Sequence, residues 1–197
     1  MLKKILLVLS FIGIFATTPL RAAPEMKEAV FAMGCFWCGE AEFHHVPGVI
    51  SIKVGYAGGV KPRPTYPNHE GYKEAVKVTY DPAVISYEKL LNIFWVNIDP
   101  TDSQGQFCDR GPSYTSAIYY KDDAQKNAAE ESKGNYQRAV MKDFYTEILP
   151  FTTFVNAEGY HQNYKENSPV RYKYYRWKCG RDQRLEALWG NLKRSAQ

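Results

Sequence analysis

The sequence predicts an α+β fold in which helices pack on one mixed β-sheet. Segments with strand-like and helix-like patterns alternate along the 197 residues, and both hairpin-like and crossover connections join them. Aromatic residues make up 15% of the chain, led by 15 tyrosines, and this favours strands over a helical bundle rich in leucine and alanine. Charged residues make up 23%, which excludes a disordered chain and a coiled coil.

The first 22 residues have the layout of a secretory signal peptide. A basic start at Lys3 and Lys4 precedes an apolar run at residues 5–15, and small, turn-prone residues follow. The run is too short to cross a bilayer whose apolar core is about 30 Å thick. We therefore expect cleavage after Ala22, export to a periplasm, and a single mature domain at residues 23–197.

The charge of the mature domain is close to neutral. The chain has 25 Lys and Arg against 21 Asp and Glu, and three of the basic residues but none of the acids fall in the predicted signal peptide. A net charge near +1 gives no electrostatic case for nucleic acid as a partner, nor for stable membrane insertion after cleavage.

Hydrophobic periodicity and turn residues define the elements of the first half. Pro47 and Gly48 end the first helix, three prolines within 60–71 mark a loop, and Ser86 can cap the second helix, which has four apolar residues on one face. The elements predicted here are strands at 28–33, 49–56 and 72–80, and helices at 36–46 and 86–97.

The second half mixes the same two patterns. Residues 99–112 form a long polar loop, and such loops inside compact domains tend to be functional. The basic, aromatic segment 171–179 receives no element. The elements predicted here are strands at 114–120, 144–148 and 152–155, and helices at 122–139, 158–166 and 181–193.

The sharpest signal for chemistry is the segment GCFWC at residues 34–38, between a predicted strand and a predicted helix. A thiol at the first turn of a helix meets unpaired N–H groups and the positive end of the dipole, which predicts a lowered pKa for Cys35. Cys38 lies one turn further on, at the spacing of redox motifs that close a disulfide. A zinc site would need two more closely spaced ligands, whereas Cys108 and Cys179 stand alone. Structural disulfides remain an alternative for an exported protein.

This segment opens an ordered series of motifs that runs through the mature chain. The motifs are Gly34-Cys35-Phe36-Trp37, Gly55-Tyr56-Ala57-Gly58-Gly59, Pro64-Thr65-Tyr66, Glu74-Ala75-Val76, Tyr80-Asp81-Pro82, Asp99-Pro100, Asp109-x-Gly111-x-x-Tyr114-x-Ser116 and His161-Gln162-x-Tyr164. In these motifs the sequence resembles the peptide methionine sulfoxide reductase A family. The resemblance implies a two-layer α+β sandwich with a mixed sheet and a ferredoxin-like core. It also implies reduction of the S epimer of methionine sulfoxide, free or in peptides and proteins.

By this resemblance, Cys35 is the nucleophile that attacks the sulfoxide sulfur and becomes a sulfenic acid. Glu74 matches the family's acid, which protonates the sulfoxide oxygen because that oxygen is otherwise a poor leaving group. To carry a proton, Glu74 must be buried so that its pKa rises above the usual value of about 4.3. Without the resemblance, Glu74 is typical of a solvated carboxylate on a strand.

Five more residues receive roles from the resemblance. Tyr66 and Tyr114 match two phenols that complete the acid network, and Asp109 matches a residue that orients it. Phe36 and Trp37 match the apolar pocket for the S-methyl group of the substrate. Aromatic packing and loop capping are the alternatives for these residues. The resemblance implies no metal and no organic cofactor.

The resolving cysteine is where the sequence departs from the family. Many relatives have glycine in place of Cys38 and carry a resolving cysteine in a glycine-rich tail. Here Cys179 is the positional candidate for capturing the sulfenic acid, and Cys38 is a close second. A structural bridge between Cys108 and Cys179 is the alternative for those two residues.

Export would separate the enzyme from cytosolic thioredoxin, so we expect a thioredoxin-like reducing partner, supplied from the membrane, to reopen the disulfide. Three other classes of protein compete with the reductase. An exported thiol–disulfide oxidoreductase would use Cys35 and Cys38. A cysteine hydrolase would pair Cys35 with His161, although its motif does not match. A disulfide-stapled binding module would have unreactive cysteines.

Overall fold

The computed structural model describes residues 25–195, so the predicted signal peptide lies outside the described residues. Strands and helices mix along this part of the chain as the sequence predicts. The strands are β1 (Lys27–Ala32), β2 (Val49–Ala57), β3 (Lys73–Tyr80), β4 (Gly105–Gln106), β5 (Asp109–Arg110), β6 (Ala117–Tyr120), β7 (Glu147–Pro150) and β8 (Phe154–Asn156). The helices are α1 (Phe36–Phe43), α2 (Tyr87–Trp95), α3 (Asp123–Val140), α4 (Tyr164–Asn167), α5 (Pro169–Lys178) and α6 (Arg181–Ser195).

Six of the strands form one sheet in the order β7-β6-β1-β3-β2-β8. The β6–β7 pair is parallel and the other pairs are antiparallel, so the predicted mixed sheet is confirmed. Its centre has the strand order β6-β1-β3-β2, with α1 connecting β1 to β2 and α2 connecting β3 to β6. This is the ferredoxin-like core that the resemblance implies. Strands β4 and β5 form a separate two-stranded hairpin.

Both faces of the sheet are buried, and β1 shows how. Ala29 and Phe31 belong to the large apolar cluster that contains the buried residues of α1, α2 and α6, such as Trp189. Val30 and Ala32 point to the opposite face, in a smaller cluster. Because neighbouring side chains on a strand alternate between faces, a strand buried on both sides is apolar throughout. The helices thus form one layer on the sheet.

The helix cap predicted at Ser86 is confirmed, and Asp122 caps the next helix in the same way. The Ser86 hydroxyl accepts a hydrogen bond of 3.3 Å from the backbone N–H of Lys89 at the start of α2. The Asp122 carboxylate accepts one of 2.8 Å from the backbone N–H of Gln125 at the start of α3. Each cap satisfies an N–H group that has no partner within its helix.

The C-terminal third departs from the predicted elements. The helix predicted at 158–166 is wrong: a short 3-10 turn at Gly159–His161 and α4 are separated at Asn163, whose left-handed φ of 53° breaks the helix. Segment 171–179 lies mostly in α5, which the sequence analysis left without an element. Strand β7 begins three residues later than predicted. Within residues 25–195, no helix is both long and apolar enough to cross a bilayer.

Candidate active site

Cys35 lies at the turn between β1 and α1, where it is the N-cap residue of the helix. Its carbonyl accepts the backbone N–H groups of Cys38 and Gly39, at 3.1 and 3.2 Å. Gly34 before it has φ +76°, and a Cβ there would lie 2.5 Å from Cβ of Gln106. The turn therefore requires glycine, both for its backbone conformation and for the close approach of the Gln106 side chain.

The two thiols of α1 form a buried hydrogen-bonded pair. Cys35 is 5% exposed and Cys38 is 1% exposed, and neither is in a disulfide. Burial raises the pKa of Cys35 well above its usual value, and the hydrogen bond with Cys38 raises it further. That hydrogen bond lowers the pKa of Cys38 to about 7, helped by the charges of Arg181 and Arg176. The lowered pKa predicted for Cys35 itself is therefore wrong, because burial outweighs the helix N-terminus. Near neutral pH the pair shares one proton.

Glu74 lies on β3 directly beneath this turn and is 1% exposed. Its Oε2 accepts a hydrogen bond of 2.9 Å from the backbone N–H of Phe36, the residue that follows Cys35. Burial raises the pKa of Glu74 to about 8, and the negative charge of Asp109 adds to this, while hydrogen bonds from Phe36 and Tyr114 oppose it. A carboxyl with this pKa is mostly protonated at pH 7, as an acid catalyst must be.

Tyr66 and Tyr114 both lie close to the Glu74 carboxyl, and Tyr114 donates a hydrogen bond to it. Burial raises the pKa of Tyr66 to about 12, and the charges of Glu74 and Cys35 add to it. Burial and the charge of Glu74 also raise the pKa of Tyr114. Both phenols therefore keep their protons and can donate hydrogen bonds over the whole physiological pH range. Tyr66 is 38% exposed, so it lies at the rim of the site.

Phe36 and Trp37 belong to a wall of aromatic rings beside Cys35. The Trp37 ring stacks on Tyr164, with centroids 3.8 Å apart and planes 9° apart. Its Nε1 donates to Nδ1 of His161 at 3.0 Å, and the Phe36 ring lies 4.9 Å from the His161 ring. Burial lowers the pKa of His161, so this imidazole is neutral near pH 7 and fixes the indole in place.

The wall depends on two residues whose roles the sequence analysis did not assign. The buried Glu40 carboxylate of α1 accepts the backbone N–H groups of Asn163 and Tyr164, at 2.8 and 3.1 Å. The Gln162 side chain hydrogen-bonds both the N–H and the C=O of Val54 on β2. Gln162 falls in one of the motifs and Glu40 lies shortly after the first of them, but nothing local distinguishes a buried anchor from a solvated side chain.

Asp109 begins β5 and faces the same centre, where its charge acts on Cys35 and Glu74. Its hydrogen-bond partner is the hydroxyl of Tyr175 on α5. Burial raises the pKa of Asp109, whereas the Tyr175 hydrogen bond and the charge of Arg181 lower it. Tyr175 was missed because its segment was assigned no element. The signal that could have found α5 is Pro169, since proline favours the first helical position.

Cys179 forms a disulfide with Cys108 across 71 residues of sequence, with the two Cα atoms 4.8 Å apart. The structural bridge weighed as an alternative is therefore present. In this form Cys179, the positional candidate for the resolving cysteine, has no thiol to offer Cys35. Cys38 is the free thiol that contacts Cys35.

Comparisons with known proteins identify the family to which this chain is similar. A family model described as peptide methionine sulfoxide reductase matches residues 27–193. Peptide methionine sulfoxide reductase MsrA 2 of Caulobacter vibrioides is 47% identical over 180 residues, which cover 89% of this chain and 91% of the relative. Peptide methionine sulfoxide reductase MsrA of Bacillus licheniformis is 46% identical over 174 residues, which cover 85% of this chain and 96% of the relative.

The fold is similar to that of a solved relative. The crystal structure of Mxr1 from Saccharomyces cerevisiae in reduced form matches with a TM-score of 0.70 and 30% identity, over 74% of this chain and 87% of that one. By sequence over nearly its whole described length, and by fold, this chain belongs to the peptide methionine sulfoxide reductase MsrA family.

Proposed function

We propose that this protein is an enzyme that reduces the S epimer of methionine sulfoxide, free or in peptides and proteins, to methionine. The observation that carries the proposal is that the Cys35 thiol and the protonated Glu74 carboxyl lie beside the same turn. Glu74 holds the backbone N–H of Phe36, next to the nucleophile Cys35, and burial keeps its proton at neutral pH. A nucleophile for sulfur and an acid for oxygen are the two groups that sulfoxide reduction needs.

In the first step, the shared proton moves to Cys38 and the Cys35 thiolate attacks the sulfoxide sulfur. Glu74 protonates the oxygen, and Tyr66 and Tyr114 donate hydrogen bonds to it. The oxygen passes to Cys35, which becomes a sulfenic acid, and methionine leaves with its sulfur reduced by two electrons. Phe36 and Trp37 supply the apolar surface for the S-methyl group.

In the second step, Cys38 resolves the sulfenic acid. Its sulfur attacks Sγ of Cys35, a disulfide forms, and the sulfenic oxygen leaves as water. The direct hydrogen bond between the two thiols and the lowered pKa of Cys38 support this assignment over Cys179, which is bonded to Cys108. An external dithiol of the thioredoxin type then donates two electrons and two protons to reopen the bond. Every electron in this cycle comes from a thiol, so the cycle needs neither metal nor organic cofactor.

A turnover assay on both epimers of a blocked methionine sulfoxide, with dithiothreitol as reductant, tests the reaction. We expect turnover of the S epimer alone, abolished in Cys35→Ser. The matched control is Cys108→Ser, measured in the same reductant, which should retain turnover. A folded, reduced protein that reduces neither epimer would overturn the proposal and favour the exported thiol–disulfide oxidoreductase instead.

Peptide mapping after one turnover without reductant tests the resolving step. We expect a Cys35–Cys38 disulfide in the wild type. In Cys38→Ser we expect a sulfenic acid on Cys35 that dimedone traps. A mapped Cys35–Cys179 bond in both proteins would assign resolution to Cys179.

We also propose that the protein is exported to a periplasm after cleavage behind Ala22. The basic and apolar layout of residues 1–22 supports this, as does the Cys108–Cys179 disulfide, because such bonds persist in oxidising compartments. Expression of the full chain in a Gram-negative host should place it in the osmotic-shock fraction, with Ala23 as its first residue. An uncleaved chain in the cytoplasmic fraction would contradict this.

A further inference from the structure

Asp109 acts on Cys35 through its charge, and its hydrogen-bond partner is neither of the two phenols assigned to the acid network. The resemblance makes it the residue that orients the acid network, yet the hydroxyl that it binds belongs to Tyr175, not to Tyr66 or Tyr114. Tyr175 is 66 residues away in the sequence, on α5, and it lies outside the sequence motifs. The partner of this half-buried carboxylate is therefore a group whose role has yet to be assigned.

Tyr175 is a half-buried residue of α5 that packs against the thiol-bearing turn. Its ring packs against the small cluster that contains Cys35 and Cys38, and it meets the Trp37 ring edge-on at 5.7 Å between centroids. Its hydroxyl donates a hydrogen bond to Asp109, and the Cys35 thiol lies close enough to raise the pKa of the phenol. One phenol thus contacts the Trp37 ring, the Asp109 carboxylate and the cluster that contains the two thiols.

We infer that Tyr175 is a positioning residue of this active site, whose phenol fixes the Asp109 carboxylate and the Cys35 sulfur relative to each other. The inference rests on the proposed function of Cys35 as nucleophile. A single O–H between two groups that can carry negative charge donates a hydrogen bond to one or the other. It thereby stabilises the ionised form of the group to which it donates.

The chain around this contact is tied covalently. Cys108 directly precedes Asp109, and Cys179 follows Tyr175 by one turn of α5, so the Cys108–Cys179 disulfide brackets the hydrogen bond. Arg176, the residue after Tyr175 on α5, forms an ion pair with Glu42 of α1. This pair holds α5 against α1, the helix that follows Cys35 and contains Cys38. These two links leave the Tyr175 hydroxyl little freedom to leave the site.

The surroundings of Cys35 set the sign of the expected effect. Removing the Tyr175 hydroxyl takes a donor from the Cys35 thiolate and leaves the Asp109 charge less compensated, and both changes raise the pKa of Cys35. The titratable and charged groups around this sulfur are Cys38 on α1, Glu74 on β3, Tyr66 in the loop before β3, Asp109 on β5, Tyr114 before β6, Tyr175 on α5 and, facing Asp109, Arg181 on α6.

The test is Tyr175→Phe, which keeps the ring on Trp37 and removes only the hydroxyl. Iodoacetamide labelling of Cys35, followed across pH by peptide mass spectrometry, gives its titration midpoint independently of sulfoxide turnover. We expect the midpoint to rise by about one pH unit and single-turnover reduction at pH 7 to slow roughly tenfold. Tyr174→Phe is the matched control, since the Tyr174 side chain is 60% exposed, and it should change neither quantity.

A second variant separates this effect from a loss of folding. Asp109→Asn removes the neighbouring charge, so it should move the Cys35 midpoint downward, the opposite direction from Tyr175→Phe. If Tyr175→Phe leaves the midpoint unchanged and turnover within twofold of wild type, the inference is wrong. If the wild type shows no sulfoxide turnover while the midpoint still moves, the proposed function fails and the positioning role of Tyr175 stands.

Discussion

At the scale of single residues, the site works by burying groups that hold protons. Glu74 would be ionised in water at pH 7, but its burial on β3 raises its pKa to about 8. The phenols of Tyr66 and Tyr114 stay protonated for the same reason. The thiol pair of Cys35 and Cys38 does the opposite and releases one proton near pH 7, because one thiol hydrogen-bonds the anion of the other. Acid and nucleophile therefore coexist at one pH.

We predict that sulfoxide reduction declines as pH rises through about 8. The protonated fraction of Glu74 falls from about nine-tenths at pH 7 to about one-tenth at pH 9. Glu74→Gln should reduce the single-turnover rate by about 100-fold and remove this alkaline limb, since the amide has no acidic proton. Single-turnover rates between about pH 6 and 9.5 check this. An unchanged alkaline limb in Glu74→Gln would assign the titration to another group.

The same carboxyl should make the fold pH-dependent. Because its pKa is raised in the folded state, the native protein binds this proton more tightly than the unfolded chain, and stability falls as pH rises from about 4.5 through 8. We predict that Glu74→Gln gains in Tm relative to wild type between pH 6 and pH 9. Thermal unfolding at both pH values measures the difference, and an equal difference at both would contradict the prediction. Glu130→Gln, an exposed residue of α3, is the control.

At the scale of elements, the aromatic wall is built by contacts between segments far apart in the sequence. Trp37 of α1 binds His161 across 124 residues, and Glu40 on the same helix holds the backbone just before α4. Helix α5 packs against the thiol pair through Tyr172 and Tyr175. Helix α1 therefore positions both the nucleophile and the wall, so a change to its buried face should alter substrate binding.

We predict that Glu40→Gln raises the KM for methionine sulfoxide and lowers the free energy of unfolding by about 2 kcal/mol. The amide has one acceptor oxygen for two backbone N–H groups, so one of these buried groups loses its partner. Urea unfolding and steady-state kinetics measure the two effects, and Glu130→Gln serves again as the exposed control. A normal KM in a destabilised Glu40→Gln protein would show that the anchor supports the fold alone.

At the scale of the whole molecule, the six-stranded sheet and the Cys108–Cys179 disulfide together position the residues of the site. The ferredoxin-like core supplies β1 and β3, which carry the turn before α1 and Glu74. The segment after β8 packs back over this core, and the Cys108–Cys179 disulfide ties its end to the β4–β5 hairpin. Because the link spans 71 residues, it restricts the unfolded chain strongly.

We predict that replacing both Cys108 and Cys179 by serine lowers the free energy of unfolding by about 2–4 kcal/mol. Denaturant unfolding without reductant measures the loss, and dithiothreitol should remove most of the difference by opening the bond in the wild type. Turnover in dithiothreitol should stay at the wild-type level, as for Cys108→Ser, since the reductant opens the same bond in the wild type. Equal unfolding midpoints without reductant would show that the bond does not stabilise the native protein.

Elements that depend on local interactions could be predicted from the sequence. Neighbours within one turn or one strand determine the cap at Ser86, the buried apolar run of β1 and the glycine turn before Cys35. The ordered motifs determined the family, because their residues are the ones that the reaction constrains. The helix α5 escaped prediction because tyrosines and basic residues occupy both its buried and its exposed faces, which leaves no apolar period.

The protonation states and the cysteine partners could be assigned only from the folded chain. The pKa of Glu74, the sharing of a proton between Cys35 and Cys38, and the pairing of Cys108 with Cys179 all depend on which groups meet in the folded chain. Burial and charge act through space, so a pattern along the chain does not contain them. For the same reason the Tyr175 hydroxyl became visible beside Asp109 only once α5 was placed against α1.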